Sequence, residues 1–308
     1  MSNGRPTLDI VIVNYRSPQM TVETVRRVEQ SVIESHEVRI WVVDNGSGDG
    51  SADILKRELP GVRLIVSPGN LGFSGGNNLA LARILEDGLT GDPVDSYILL
   101  LNNDVLVEPD SIQICIDALR EFPDVGAVGP RVRLPDGRLD LACRRGFPTP
   151  ASAFWKLTGL AKRFPDNPRF AGYNLTYLPE DQPADVDAVT AAFMVVRVAV
   201  VRQVGLLDER FFMYGEDLDW AYRIKAAGWR ILYWPAAEVV HLKSATSRRH
   251  SSRIYYEFYR AMWLFHEKHY ARRYPFLLNM LVMIGIVTRG LLALIVNAFK
   301  PADRKKFA

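Results

Sequence analysis

Between Leu8 and Leu101 the chain alternates short aliphatic, β-branched runs with stretches whose apolar residues recur every three or four positions. Leu8 to Tyr15 (LDIVIVNY) is almost continuously apolar and ends in polar residues, the pattern of a strand buried on both faces of a parallel sheet. Thr21 to Glu34 places Val22, Val25, Val28 and Val32 at helical spacing, and Arg39 to Asp44 (RIWVVD) reads as a second strand. A helix capped by Ser51 or Asp53 and running through Leu59, a strand over Val62 to Ser67, a helix over Asn77 to Leu85 and a strand over Tyr97 to Leu101 (YILLL) continue the alternation. This succession predicts an α/β fold of right-handed βαβ units. Helices flank a mostly parallel central sheet, and ligands sit at the carboxyl ends of its strands.

From Val128 onward the pattern loosens. Arg144 to Pro183 is rich in Pro and Gly and reads as a long irregular region with short helices around Ala153 to Leu160. Order returns at Asp187, with a strand-like run over Ala188 to Arg197, a short helix to Val204, a helix over Gly215 to Ala227, and Trp229 to His241 as a strand pair broken at Pro235. Ser252 to Tyr274 is aromatic and basic, and Phe276 to Phe299 is apolar except for Asn279, Thr288, Arg289 and Asn297. That length suffices to cross a bilayer, but Arg289 near its middle costs roughly 2.5 to 3.5 kcal/mol there. A helix or helix pair lying in the membrane interface, its cations reaching head groups, is therefore favoured over a spanning one. A hydrophobic helix packed on the domain, or forming the seam of a homodimer, is the alternative.

With 38 Lys and Arg against 35 Asp and Glu, the net charge is +3, so no global basic field argues for nucleic acid. The excess is local, in Arg248-Arg249, Arg272-Arg273 and Arg304-Lys305-Lys306. Cys115 and Cys143 are too few for a disulfide framework or a cysteine zinc site and fit a reducing compartment. The polar start, Met1 to Asp9, carries no apolar export signal, which places the expected site of action in the cytoplasm.

Four constellations carry candidate chemistry. Val43 to Ser51 (VDNGSGDGS) puts Asp44 at a strand end, where a carboxylate accepts a hydrogen bond from a base or a ribose hydroxyl; a plain Gly/Asn/Asp turn explains the same residues. Asn70 to Asn78 (NLGFSGGNN) is a Gly-rich stretch opening a helix, suited either to phosphate contact or to a flexible connection. Asn102-Asn103-Asp104 follows the fourth strand, and its one acid would need the substrate diphosphate and a distant ligand, for which His241 is a candidate, to hold a hard cation. Gly215 to Trp220 (GEDLDW) sets three acids at a helix start, where they cap the helix or, after the apolar Phe211 to Tyr214, supply a general base.

In this order the motifs resemble glycosyltransferase family 2, in particular its bacterial rhamnosyltransferase-like branch, over roughly Leu8 to Lys268. The resemblance implies a GT-A domain over residues 1–250, with a nucleotide-binding half at about 8–105 and an acceptor-binding half at about 106–250. A helical membrane-associating segment over 251–308 follows. It implies an inverting transferase using a nucleotide sugar, with dTDP-L-rhamnose as the expected donor and UDP-hexoses, UDP-N-acetylhexosamine or UDP-galactofuranose as competitors. A glycan or polyprenyl-linked acceptor in cell-surface polysaccharide synthesis, at the inner face of the membrane, completes the expectation. By position, Asp44 would read the pyrimidine base, while Asn14, Tyr15, Asn70, Gly75, Asn78, Asn102 and Asn103 would line the nucleotide sugar. Asp104 and His241 would hold Mg²⁺ or Mn²⁺, Asn102 replacing the first acid of the family's D-x-D motif. Asp217 would be the base, Glu216 and Asp219 would support it, and Trp220 would pack near the acceptor.

A non-catalytic binder of the same fold would keep Asp44 and the glycines but have no need of Asp104, Asp217 and His241 together. An oxidoreductase would need a dinucleotide fingerprint after the first strand, and Asn14 to Pro18 is not one. A nucleotidyltransferase would place a Gly-rich, basic loop there instead.

Overall fold

The computed structural model describes residues 5–87, 95–243 and 251–299; Arg248-Arg249, the tail from Arg304 to Lys306 and residues 1–4 lie outside them. The first half runs β1 (Thr7–Asn14), α1 (Pro18–Glu29), β2 (Glu37–Asp44), α2 (Ser51–Glu58), β3 (Arg63–Val66), α3 (Gly72–Glu86) and β4 (Tyr97–Asn102). The second runs β5 (Val105–Val107), α4 (Ser111–Glu121), β6 (Val125–Arg133), α5 (Pro150–Leu157), α6 (Leu160–Arg163), α7 (Pro168–Ala171), β7 (Ala184–Val186), β8 (Phe193–Arg197), α8 (Val198–Val204), α9 (Glu216–Ala226) and β9 (Arg230–His241). Two further helices, α10 (Ser251–His269) and α11 (Phe276–Phe299), complete the described chain.

One sheet in the order β3-β2-β1-β4-β8-β6-β9-β5, with β7 paired to β9, organises these elements. The four strands read from β-branched runs pair in parallel, as expected. Beyond β4 the sheet is mixed: β8 runs antiparallel to both β4 and β6, and β5 and β7 run antiparallel to β9. Helices on both faces explain why Leu8, Ile10, Val11 and Ile12 of β1 are all fully buried.

Several local expectations change. α2 is not capped by Ser51 or Asp53: Gly50, at φ 85°, precedes it, and the Asp49 carboxylate accepts from the Ser51 N–H at 3.1 Å. α3 begins at Gly72 rather than Asn77, so the supposed flexible loop is its first turns. Trp229 to His241 is a single strand, β9, whose register with β6 jumps from Pro130↔Trp234 to Arg131↔Glu238. Pro235 in that gap has no N–H to give a ladder, so the strand bulges and does not end. β6 runs into the stretch from Val128 that reads as irregular, and its glycines are closely packed: a Cβ on Gly129 would stand 2.7 Å from Val189 Cβ and one on Gly126 2.8 Å from Trp229 Cβ. The glycines are there for close packing.

α10 is part of the same core, since its Ala261 and Phe265, with Tyr270 just after it, belong to the buried hydrophobic cluster. α11 lies along α10. Asn297 is buried and donates to Ser252 Oγ at 3.3 Å, and Asn279 donates to the carbonyls of Ala271 and Tyr274 at 2.7 and 3.0 Å. Asn279 and Asn297 of α11 thus face inward, while Thr288 and Arg289 are exposed along with Phe276, Leu281, Ile284, Leu291 and Phe299.

Candidate functional site

Strand register gathers the first group of residues. Asn14 stands opposite Asp44, and Val13 opposite Asn102, so the carboxyl ends of β2, β1 and β4 are level. Asp44 is 2% exposed; its Oδ1 accepts from Asn14 Nδ2 at 2.7 Å and Ser47 Oγ at 2.5 Å, while Oδ2 takes a longer 3.3 Å bond from the Ser47 N–H. Asn14 also accepts from Thr21 at 3.0 Å. The Asp44 carboxylate therefore builds the loop that the base-reading expectation asks it to serve, with acceptor capacity left on Oδ2. Tyr15 lies at the rim under the Arg16 guanidinium, 5.2 Å from its ring centre, and Arg16 donates to the Ser47 carbonyl at 3.0 Å.

The Gly-rich segment departs from its expected role. Gly75 and Asn78 are buried inside α3, and the helix start is closed by the 207–212 segment: Phe73 N–H donates to the Phe212 carbonyl at 2.7 Å, and Ser74 Oγ to that of Phe211 at 2.5 Å. Asn78 spends its amide on the Leu207 carbonyl, the Leu207 N–H and Glu209, at 2.9, 3.1 and 2.9 Å. Gly75 has the Leu71 side chain where a Cβ would stand. These two residues join the halves of the domain, packing α3 against the 207–212 segment. Asn70 stays exposed, its Oδ1 capping the Gly72 N–H at 2.9 Å.

The second group forms around Asp104. Asn103 is tied to α1 through Ser17 and Thr21 at 2.9 and 3.0 Å, which fixes the turn after β4, while the Asn102 N–H donates to the Ala192 carbonyl at 2.9 Å. Val105 pairs with His241 in the β5–β9 ladder, so a histidine 137 positions away in sequence (241 − 104) meets Asp104 at 3.2 Å through Nε2. His241 Nδ1 faces Asp140 Oδ2 at 3.4 Å, and Lys243 Nζ reaches Asp140 Oδ1 at 3.0 Å. Burial alone would lower the His241 pKa, but the hydrogen bonds with Asp104 and Asp140 outweigh it and raise it to about 9. A carboxylate on Nδ1 orients the ring and leaves Nε2, beside Asp104, to a cation, the usual arrangement behind a metal-binding histidine. Among the described residues no cluster of three or more His, Cys, Asp or Glu side chains forms a complete metal cage. The pair fits a cation whose remaining ligands are substrate oxygens and water. A cavity of about 240 Å³ lined by Gln19, Glu23, Thr24, Asn103 and Leu242 adjoins Asp104.

The third group is the start of α9. Tyr214 and Gly215 both adopt left-handed backbone, at φ 70° and 78°, and turn the chain so that Glu216 and Asp217 enter the interior. Arg16, Tyr214 and Lys243 are three of the four non-glycine residues at positive φ among those described. Each adjoins a site motif, where such strain commonly collects. Asp217 Oδ2 accepts from Arg145 Nη2 at 2.6 Å in a buried ion pair, and Oδ1 from the Leu218 N–H at 2.8 Å. Arg145 also donates to the Val189 carbonyl at 3.2 Å. Its Nε, like Glu216 Oε2, is buried without a hydrogen-bond partner among the described residues. Burial, reinforced by the Asp217 charge, pushes the Glu216 pKa up to about 8, so at neutral pH one acid of the pair is neutral. Val189 and Ala192 are three residues apart, so the anchors of the Asp217 and Asp104 groups lie within about 11 Å of backbone.

Asp219 and Trp220 are engaged in contacts away from Arg145. Asp219 is fully buried and accepts from His269 and Lys268 at 2.7 Å each and from Arg223 at 3.0 Å, which clasps α9 to α10. Trp220 is fully buried with its indole N–H on the Gly205 carbonyl at 2.9 Å. Two further residues, Arg145 and Asp140, went unread in the sequence. An Arg pair amid Leu141 to Cys143 and Gly146-Phe147, and an Asp three residues after the Pro135-Asp136-Gly137 turn, are the signals that point to them.

The raised Glu216 pKa carries a sign. An acid whose folded pKa lies above its unfolded value stabilises fully below about pH 4.5, and this contribution is lost as pH rises toward 8. Thermal melts of wild type and Glu216→Gln should therefore diverge between pH 5 and 8, wild type losing ground as the pH rises. Parallel curves would show that the side chain is solvated.

Residues 9–179 match the profile described as glycosyl transferase family 2. The chain is 34% identical over 252 residues to the N-acetylglucosaminyl-diphospho-decaprenol L-rhamnosyltransferase of Mycobacterium tuberculosis, covering 79% of this chain and 78% of that one. It is 28% identical over 193 residues to the rhamnosyltransferase WbbL of Escherichia coli, covering 62% and 68%. Among solved structures, the mannosyltransferase PcManGT of Pyrobaculum calidifontis, determined with GDP-Man and Mn²⁺, aligns with TM-score 0.56 at 13% identity over 98% of this chain and 79% of that one. TarS of S. aureus aligns with TM-score 0.53 at 13% identity, over 95% and 74%. The shared architecture is the GT-A fold.

Proposed function

The chain belongs to glycosyl transferase family 2 and is a glycosyltransferase, and from this we propose that it transfers L-rhamnose from dTDP-L-rhamnose, with inversion, to a polyprenyl-diphosphate-linked glycan. The acceptor class and the sugar follow the names of the mycobacterial and E. coli relatives, both rhamnosyltransferases. The place of action would be the cytoplasmic face of the membrane, in cell-surface polysaccharide synthesis. The observation that carries the reading is the joint presence, at one end of the sheet, of the Asp104–His241 pair and the Arg145-held Asp217.

Asp104 and His241 are the residues that would hold Mg²⁺ or Mn²⁺, whose charge would neutralise the departing nucleoside diphosphate. Asp44, Asn14 and Tyr15 would line the nucleotide at the strand ends, with Asn102 and Asn103 toward the sugar. Asp217 takes the proton of the acceptor hydroxyl as its oxygen attacks C1 opposite the diphosphate; the new C1–O bond forms as the old one breaks. Arg145 fixes the orientation of that carboxylate, and neutral Glu216 beside it adds no second negative charge. No enzyme nucleophile is required, in contrast to retaining hydrolases. Outside the sheet, α11 contains one stretch, Phe276–Asn297, long and apolar enough to cross a membrane. Asn279 and Asn297 face inward, and the exposed side, apolar but for Thr288 and Arg289, would rest in the lipid interface with the Arg289 cation at the head groups.

Nucleotide release from a panel of dTDP- and UDP-sugars, with Mg²⁺ or Mn²⁺ and a bacterial lipid extract as acceptor, tests the donor. Turnover of dTDP-L-rhamnose above the UDP-sugars is the expected result, and a UDP-sugar turning over faster would replace the donor assignment. Asp140→Asn, which removes the carboxylate charge behind His241, is expected to raise the cation concentration for half-maximal activity about 10- to 100-fold. An unchanged metal titration would remove Asp140 from this role.

A further inference from the structure

Residues 150–170 protrude beside the acid motif. α5 and α6 bury none of their residues, and Phe154, Leu157 and Phe164 are 51%, 56% and 44% exposed. The segment is nevertheless ordered. Thr149 and Ser152 form a reciprocal cap at the start of α5, and the rings of Phe154, Trp155, Phe170 and Phe164 follow one another with centres 5.1, 5.0 and 5.4 Å apart. Around these rings stand Lys156, Lys162, Arg163 and Arg169 against the single acid Asp166, and none of the four cations makes an ion pair among the described residues. Preorganised, uncovered aromatics set among unneutralised cations match the chemistry of an anionic lipid surface. A protein partner would have to supply both an apolar and an acidic face.

The stem of this segment ties it to the site. Arg145 forms a bridge with Ala188, Gly146 N–H donates to the Tyr173 carbonyl at 2.9 Å, and Phe147 N–H donates to Asp187 at 3.0 Å. The Phe147 ring lies 4.9 Å from that of Tyr222 on α9 and 6.3 Å from that of Phe265 on α10. At the other end, the charge of Arg289, exposed midway along α11, bears on that of Lys156, exposed on α5. The exposed sides of α5 and α11 therefore lie near one another.

We propose that α5 and α6 form a second membrane anchor that, together with α11, seats the protein on an anionic bilayer and sets the Arg145–Asp217 pair at the lipid surface. The inference rests on the reading of a lipid-linked acceptor and adds the element that aims the base at it.

The test uses the full chain with an environment-sensitive fluorophore on Leu157→Cys or, separately, on Ile284→Cys; the native Cys115 and Cys143 are buried and do not compete. Vesicles of phosphatidylglycerol with phosphatidylethanolamine are compared with phosphatidylcholine alone. The label at 157 is expected to shift to the blue on the anionic vesicles, and Lys156→Gln with Lys162→Gln and Arg163→Gln to weaken partitioning by about 100-fold, near fivefold per cation. A water-like signal at 157 while 284 shifts means α11 binds alone, which overturns this inference and leaves the membrane reading standing. Water-like signals at both positions overturn both. A shift at 157 of the same size on neutral vesicles, unaffected by the glutamines, also overturns the charge-driven anchor.

Discussion

Asp217→Asn is expected to lower sugar transfer by about two to four orders of magnitude, the usual contribution of a positioned general base, while nucleotide binding at the distant strand ends is retained. The side chain keeps its shape, so the loss falls on the proton-accepting step. It should appear in kcat with little change in KM for the donor, because Asp217 belongs to the α9 group and not to the Asp44 or Asp104 groups. Asn also leaves the buried Arg145 guanidinium without its counter-charge, so inactivation has to be separated from unfolding. The double variant Arg145→Gln with Asp217→Asn removes both charges, and should regain stability without regaining transfer. Recovery of transfer in that pair would mean that Asp217 serves only to neutralise Arg145.

Arg145→Met alone is expected to destabilise the fold by about 3 to 5 kcal/mol at pH 7, the cost of leaving one charge of a buried pair uncompensated. The ion pair is short, at 2.6 Å, and its side chains are 10% and 11% exposed, so little water is at hand to take the place of the guanidinium. Urea unfolding checks the value, and adding Asp217→Leu to Arg145→Met should recover most of it. A single variant within 1 kcal/mol of wild type would show that the pair is solvated and that Asp217 is positioned by its helix alone.

The sequence made the nucleotide half legible because each strand there is a β-branched run closed by a polar motif, and parallel pairing brings Asn14, Asp44 and Asn102 level without help from distant contacts. Asp104 and His241 could be named from motifs, yet the reason they meet, the Val105↔His241 pairing of β5 with β9, involves a three-residue strand too short to carry a period. Asp140 and Arg145 come from the irregular stretch after β6. They acquire roles only through contacts 101 and 72 residues away, and local pattern carries no trace of those. Gly75 and Asn78 read in the sequence as part of a stretch suited to phosphate contact or to a flexible connection; in the fold they let α3 pack against the 207–212 segment, a long-range contact that local pattern does not show. Asp219 and Trp220 lie within one turn of Asp217, but their side chains meet α10 and the Gly205 carbonyl instead of Arg145.

Transfer of labelled rhamnose from dTDP-L-rhamnose to a polyprenyl-diphosphate-linked glycan, followed with and without a chelator in wild type and in the Asp217→Asn variant, reads the whole site at once. The account predicts product from wild type with Mg²⁺ or Mn²⁺, none with the chelator, and a loss of at least about 100-fold in Asp217→Asn. Product formed at the wild-type rate by Asp217→Asn, or undiminished by the chelator, would contradict it.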